Sequence, residues 1–339
     1  LRYALSIGAV YIDGVGWIQV EVTGGSGGNG FGGGNNDINT AVEIGKRATK
    51  YGMKLLVDFH YSDFWADPGK QMTPKAWEGM RIGPKSEALY EYTRSCLQML
   101  KDAGVDVGMV QLGNETNGKL SGEKIWMNIY KLMNAGSKAV REVCPDALVA
   151  VHFANPEKAD SYYSYGKNLE YYQVDYDVFA SSYYPFWHGT LDNLSQVLTD
   201  IAESYGKKVM VAETSYAFTA ADTDFYGNTI GEGGGIVKDY PFTQQGQANL
   251  VRNVIDTLVN KTVGGIGVFY WEGTWISAGG NNYEENAALW EKNGSGWASS
   301  HAAEYDPDDA GAWYGGCAVD NQAFFDAQGK ALTSLGPRG

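Results

Sequence analysis

The sequence predicts an α/β protein: a (β/α)8 TIM barrel with long loops after its seventh and eighth strands. Three observations carry this. The chain has 339 residues, 44% of them hydrophobic, enough for one large core. Short apolar runs of strand length occur eight times, with segments of helical period between most of them. Polar and ionisable residues collect at the carboxyl ends of those runs, the end where parallel barrels keep their active sites. One domain spanning residues 1–339 is therefore expected.

Residues 4–12 and 17–22 read as the first two strands, separated only by Asp13 to Gly16. The glycine-rich stretch Gly24 to Asp37 reads as a long loop within the domain, because a strand precedes it and a helix follows. Asp37 or Asn39 can cap that helix, which carries Ile38, Val42 and Ala48 on one face and ends near Gly52. Lys54 to Asp58 is the third strand. Leu89, Tyr92, Cys96 and Leu100 mark a helix that Gly104 closes, and 107–112 is the fourth strand. A helix with Ile125, Ile129, Leu132, Met133 and Val140 follows, then strands 147–153 and 177–183. Leu191, Leu194, Leu198 and Ile201 mark a helix ended by Gly206. Strand 208–212 delivers Glu213, Leu250, Val254 and Leu258 mark another helix, and strand 265–270 ends in Trp271-Glu272. An open doubly wound sheet is the alternative topology, but no glycine fingerprint of a dinucleotide site follows an early strand.

A net charge of −14 argues against nucleic acid and anionic membranes as partners. No apolar run is long enough to span a bilayer, and no signal peptide is present. A mature secreted form would look like this, and so would a cytoplasmic protein. Cys96, Cys144 and Cys317 are odd in number and without framework spacing, so free thiols are expected. Four histidines, none paired at helical spacing, make a zinc site a poor reading.

The chemistry centres on two carboxylates. Strand 107–112 runs into Gly113 and then Asn114-Glu115, and strand 208–212 ends in Glu213. Hydrolysis of a glycoside needs one carboxyl to protonate the leaving oxygen and a second to attack or to activate water. A strand-end glutamate is often only an ion-pair partner. Two of them, on a barrel pattern with many aromatics near the rim, point to a glycosidase.

The motifs around them are specific. DFHYSDFWADPGKQ (Asp58–Gln71), QLGNETNG (Gln111–Gly118), ASSYYPFWHGTL (Ala180–Leu191), VMVAETSY (Val209–Tyr216) and GVFYWEGTW (Gly267–Trp275) resemble, in order and spacing, the endo-β-1,4-galactanases of glycoside hydrolase family 53, in particular the Bacillus-type branch. The resemblance runs from about Gly28 to near Leu335. It implies a secreted, monomeric barrel enzyme that cleaves β-1,4-galactan with retention. Glu115 would be the acid/base, Glu213 the nucleophile, and Asn114 a partner of the sugar 2-hydroxyl. Sugar rings stack their C–H faces on aromatics. Trp271 is the expected floor of the cleaving subsite, with Trp65, Trp187 and Tyr183 as further platforms. His60 and Asp63, beside Trp65, are expected to bond sugar hydroxyls; His152 and His188 are weaker candidates.

Asp222-Thr-Asp224-Phe-Tyr226-Gly-Asn228 alternates oxygen-bearing side chains, which suits a hard cation and equally a plain solvated loop. The resemblance implies a structural calcium there. Tyr226 stands where those relatives carry histidine, so it can offer only its backbone carbonyl.

Three departures stand out. The arginine-rich second-strand pattern of the family is replaced by Gln19-Val20-Glu21-Val22-Thr23, the proline after Trp-Glu is Gly273, and the last helix is cut short by the end at Gly339. Two rival readings follow: a same-clan barrel glycosidase acting on another β-1,4 polymer, or a carbohydrate-binding barrel without turnover. The short interval Asp13 to Gly16 leaves no room for the crossover helix that joins parallel neighbours. A spatial gap between residues 12 and 15, or a first strand out of place, is therefore expected.

Overall fold

The computed structural model describes residues 7–12, 15–22, 37–235, 239–277, 279–293 and 315–335, with β1 and β2 described by backbone alone. Residues 1–6, 13–14, 23–36, 236–238, 278, 294–314 and 336–339, which include the glycine-rich stretch, lie outside them.

Eight strands form one curled sheet in sequential order, β1 through β8. They are β1 (Ile7–Ile12), β2 (Val15–Val22), β3 (Lys54–Phe59), β4 (Val107–Leu112), β5 (Leu148–Phe153), β6 (Val178–Ser182), β7 (Lys208–Thr214) and β8 (Gly265–Tyr270). From β2 to β8 every neighbouring pair is parallel. Helices α1 (Ile38–Lys50), α2 (Ile82–Asp102), α3 (Trp126–Val143), α4 (Ala159–Tyr171), α5 (Leu191–Tyr205) and α6 (Gln244–Asp256) fill the successive crossovers, and α7 (Tyr283–Asn293) follows β8.

The start of the chain corrects the sequence expectation. β1 pairs antiparallel with β2, with Ile7 opposite Val20 and Ile12 opposite Val15, so the expected gap between residues 12 and 15 is not there. The physical reason was visible in the interval itself: so short a link joins antiparallel strands readily and parallel ones not at all. β1 also lies against β8, so the two edges of the sheet meet.

Local chemistry explains the elements. Asp37, of the two cap candidates, starts α1 by accepting from the Thr40 N–H. Thr190 caps α5 in the same way, and Gly206 ends that helix at φ +63°, a left-handed turn that glycine adopts without strain. Helix α4 was not foreseen. Its sequence, ADSYYSYGKNLEY, buries Tyr162, Gly166 and Leu169 at helical spacing, but a tyrosine, a glycine and one leucine make a weak apolar stripe.

Two faces of the sheet carry two cores. The outer face packs Leu55, Val57, Val110, Leu112, Val149, Val151, Phe179, Val209 and Val211 against the helices. The inner face holds Leu56, Met109, Ala150, Val178, Ala180, Met210, Ala212 and Phe269. Because side chains alternate along a strand, two residues beyond each inner apolar position comes the next inner one. Leu56 leads to Asp58, Met109 to Gln111, Ala150 to His152 and Ala180 to Ser182, all four of these polar residues fully buried. The inner face thus changes from apolar to polar toward the carboxyl ends of the strands.

Candidate active site

Glu115 and Glu213 meet where that polar layer ends. A carboxylate oxygen of each, together with a ring nitrogen of His152, lies within a 4.8 Å cluster. Glu213 is held by the Tyr184 hydroxyl, which donates to Oε2 at 2.7 Å. Glu115 is held by the Ser182 hydroxyl, which donates to Oε1 at 2.6 Å. Tyr184 and Ser182 come from one strand end. The register of β6 on β7 shifts between Ser181 and Ser182, and such an irregularity re-aims side chains. Ser182 then stands opposite Glu213, and the Tyr183 N–H bonds the Glu213 carbonyl.

The β4 end is built with equal care. Gly113 has φ +93° and Glu115 φ +43°, the second a left-handed backbone on a side chain that disfavours it. The turn is pinned from both sides. Asn114 donates from Nδ2 to the Ala66 carbonyl at 2.9 Å, and its own carbonyl accepts from Gln71 Nε2 at 2.7 Å. Thr116 is tied to the His152 carbonyl through both its N–H and its hydroxyl. Further out, the buried Lys85 ammonium bonds the Ser121 carbonyl at 3.2 Å and Glu123 at 2.6 Å, which fixes the rest of the loop to α2.

The aromatic residues divide. Trp65 is half-buried and stacks on Trp275 with ring centres 6.0 Å apart. Trp271 is half-buried and meets Tyr184 and Trp275 edge-on. Trp187 is 39% exposed, so neither it nor Trp65 is lost to the core. Tyr183 is a correction: it is fully buried in the outer core, with its hydroxyl on the Gly189 carbonyl, and Tyr184 is the residue that faces the carboxylates. Alternation decides between neighbours, and the shifted register of β6 hid which of the two tyrosines turns inward.

His60 and Asp63 are corrected in part. His60 is fully buried and its Nδ1 accepts from the Ala66 N–H at 2.8 Å; Asp63 is 2% exposed and its Oδ2 accepts from the Lys75 N–H at 2.7 Å. Both shape the loop after β3. His188 likewise braces its own turn, accepting from the Tyr184 N–H at 3.1 Å.

Comparisons with known proteins identify the family. The model of the family "Glycosyl hydrolase family 53" matches residues 13–336. The chain belongs to glycosyl hydrolase family 53. It is a glycoside hydrolase, similar to the endo-β-1,4-galactanase of Bacillus subtilis, with 58% identity over 311 residues covering 91% of this chain and 72% of that protein. It is 34% identical to the arabinogalactan endo-β-1,4-galactanase of Cellvibrio japonicus over 276 residues, 76% of this chain and 72% of that one. The solved family 53 catalytic domain of Ignisphaera aggregans superposes with a TM-score of 0.79 at 33% identity, covering 94% of this chain and 83% of that one.

This family 53 chain has a second acidic cluster, in the long loop between β7 and α6. Carboxylate oxygens of Asp222, Asp224 and Asp320 lie within 4.8 Å of one another. Asp320 was missed by the sequence reading because its short polar run, Asp320-Asn321-Gln322, lies almost a hundred positions from the loop; only folding brings it in. Tyr226 donates its N–H to Asp224 Oδ1 at 2.8 Å, and Asn228 donates its N–H to Asp222 Oδ2 at 3.2 Å. Burial first, then the neighbouring aspartates, push Asp224 up to about 6. Asp222 is raised by the same causes. Among the described residues, Asp320 Oδ1 and both polar side-chain atoms of Asn228 are buried with no hydrogen-bond partner.

The cysteines are free, as expected, with Cys96 and Cys317 buried. Among the described residues no helix is long and apolar enough to cross a membrane.

Proposed function

We propose that this chain is an endo-β-1,4-galactanase that cleaves galactan with retention, and that its sheet closes as a (β/α)8 barrel through the contact of β1 with β8. The observation that carries the reaction is the approach of the Glu115 and Glu213 carboxylates to within 4.8 Å. Retaining glycosidases hold their carboxyl groups about 5–5.5 Å apart, while inverting ones leave room for a water at about 6.5–9.5 Å. The names of the Bacillus and Cellvibrio relatives support galactan as the substrate.

In this reading Glu213 attacks the anomeric carbon while Glu115 protonates the departing glycosidic oxygen, and a galactosyl ester forms on Glu213. Glu115, now a carboxylate, takes a proton from water as that water attacks the ester, and Glu213 leaves as a carboxylate. Tyr184 keeps the attacking oxygens of Glu213 aligned. Trp271, Trp65 and Trp187 provide stacking faces, and Asn114 provides a partner for the 2-hydroxyl. A polymer too large to enter a cell supports reading the enzyme as secreted. The test is release of reducing ends from linear β-1,4-galactan, β-mannan and mixed-linkage β-glucan. Galactan should be cleaved at internal bonds at least tenfold faster than the others. Faster cleavage of mannan or glucan would replace the substrate assignment, and no cleavage of any polymer would favour a binding role.

We also propose that the loop of Asp222, Asp224 and Asn228 holds calcium, with Asp320 as a further ligand. The donors fit a hard cation: three crowded carboxylates and orphaned buried oxygens on Asp320 and Asn228. Bound calcium would supply positive charge that offsets the repulsion and burial cost of the aspartates. It would pin the long loop beside the Glu213 strand. A ligand that binds only the folded form stabilises it by mass action. Chelation should therefore lower the melting temperature, by about 1–2 °C for each 1 kcal/mol lost in a chain of 339 residues. Calcium should restore it. An unchanged melting temperature in strong chelator would remove the cation from this loop.

A further inference from the structure

Behind Glu115 lies a buried chain of polar groups that the double displacement does not use. His152 Nε2 is 2.9 Å from Ser182 Oγ, and Ser182 Oγ is 2.6 Å from Glu115 Oε1. On the other side of the ring, His152 Nδ1 is 3.2 Å from the Glu115 N–H, 3.1 Å from Gln111 Nε2 and 2.9 Å from Asn114 Oδ1.

The hydrogen positions follow from the one donor that cannot turn away. A backbone N–H is fixed by the chain, and the φ of +43° at Glu115 aims it at Nδ1. Nδ1 is therefore an acceptor, and in a neutral ring the proton sits on Nε2. Nε2–H donates to Ser182 Oγ, which leaves the serine hydrogen for Glu115 Oε1. The Gln111 amide nitrogen, also 3.4 Å from Asn114 Oδ1, donates between the two facing acceptors and offsets their repulsion. The ring is neutral because burial, and then nearby His60, lower its pKa to about 3.

We propose that Ser182 and His152 are positioning residues for the acid/base, a directional relay in which His152 orients the Ser182 hydroxyl and that hydroxyl holds Oε1 of Glu115. This rests on the reading of Glu115 as the acid/base. With Oε1 held by a fixed donor, the orientation of the carboxyl group is set, and the catalytic proton is carried on Oε2. A hydrogen bond donated to a carboxylate also favours its charged form, so the relay keeps the acid from being held too tightly protonated for its second task as base. Among the described residues, the titratable groups near Glu115 include Glu213 at the end of β7 and Tyr162 on α4; Tyr184 bonds Glu213, and His60, paired with Asp58 of β3, acts on His152.

The experiment compares the whole enzyme with Ser182→Ala, Ser182→Thr and Glu115→Ala on two substrates. One is linear β-1,4-galactan, whose leaving group must be protonated. The other is 2,4-dinitrophenyl β-galactobioside, whose leaving group need not be. In Ser182→Ala, kcat/KM on galactan should fall about tenfold or more, with a loss on the dinitrophenyl substrate at least tenfold smaller. The basic limb of its pH profile on galactan should move up by about one unit, the effect of losing a hydrogen bond to a charged carboxylate. Ser182→Thr, which keeps the hydroxyl, should recover most of both. Equal losses on the two substrates with an unmoved basic limb would overturn the relay. If Glu115→Ala itself keeps the basic limb, the acid/base assignment falls and the relay with it. A normal loss of the limb in Glu115→Ala beside an unshifted Ser182→Ala would sink the relay alone.

Discussion

Glu213→Ala lowers turnover on galactan by on the order of 10⁶-fold, the scale seen when a covalent nucleophile is removed, equivalent to about 8 kcal/mol of barrier. The fold should be untouched. The Glu213 side chain adds no apolar surface to either core, and its removal takes one negative charge from beside Glu115. The melting temperature should therefore stay level or rise, as it does when a strained, like-charged site is relieved. Azide added to this variant should enter from the face Glu213 occupied and give an α-galactosyl azide, the inverted product. Wild-type levels of galactan cleavage in a folded Glu213→Ala protein would sink the mechanism.

Glu115→Ala should cost about 10²- to 10⁴-fold on galactan, the contribution of a positioned general acid. It should cost far less in the first step with an activated aryl leaving group. Here azide acts after the galactosyl ester on Glu213 has formed, replacing the water that Glu115 would have activated. The product should be a β-galactosyl azide, with net retention. The pair of products, α from one variant and β from the other, assigns the two carboxylates independently of rate. The same anomer from both variants would show that the roles are wrong or that the reaction inverts.

Much of this was legible in the sequence because it is local. Parallel strands buried on both faces read as continuous apolar runs, which is why β3 to β8 were found near their observed limits. Glu115 and Glu213 stood out because each ends such a run. What was missed is what depends on direction or distance. Tyr183 and Tyr184 are adjacent and chemically identical, and a register shift on β6 decided that the second faces Glu213. His152 and Ser182 lie two residues beyond the inner-face alanines Ala150 and Ala180, a spacing that marks them only once the inner face is known. Asp320 stands in a short polar run, Asp320-Asn321-Gln322, that nothing local ties to the Asp222 loop. Helix α4 escaped because its buried positions, Tyr162, Gly166 and Leu169, carry only one aliphatic side chain among them.

The departures sort in the same way. Gly273 is accommodated by tertiary contact: its carbonyl accepts from the Phe324 N–H, and a side chain there would meet the Phe324 ring at 2.9 Å. The second-strand stretch Gln19 to Val22 pairs with β3 from Leu56 to Phe59, with no arginine in it. The described arginines sit on or at the ends of the helices α1, α2, α3 and α6.

By itself, then, the sequence determined the order and kind of the parallel elements and the identity of two carboxylates, because burial and strand ends are written in short windows. Only the tertiary structure decided that Tyr184 rather than Tyr183 faces the site, that Asp320 joins the loop aspartates, and that a histidine and a serine stand behind Glu115. Each of these is a matter of which face or which distant segment a residue meets, and pairing across strands settles that, not the chain's own periodicity.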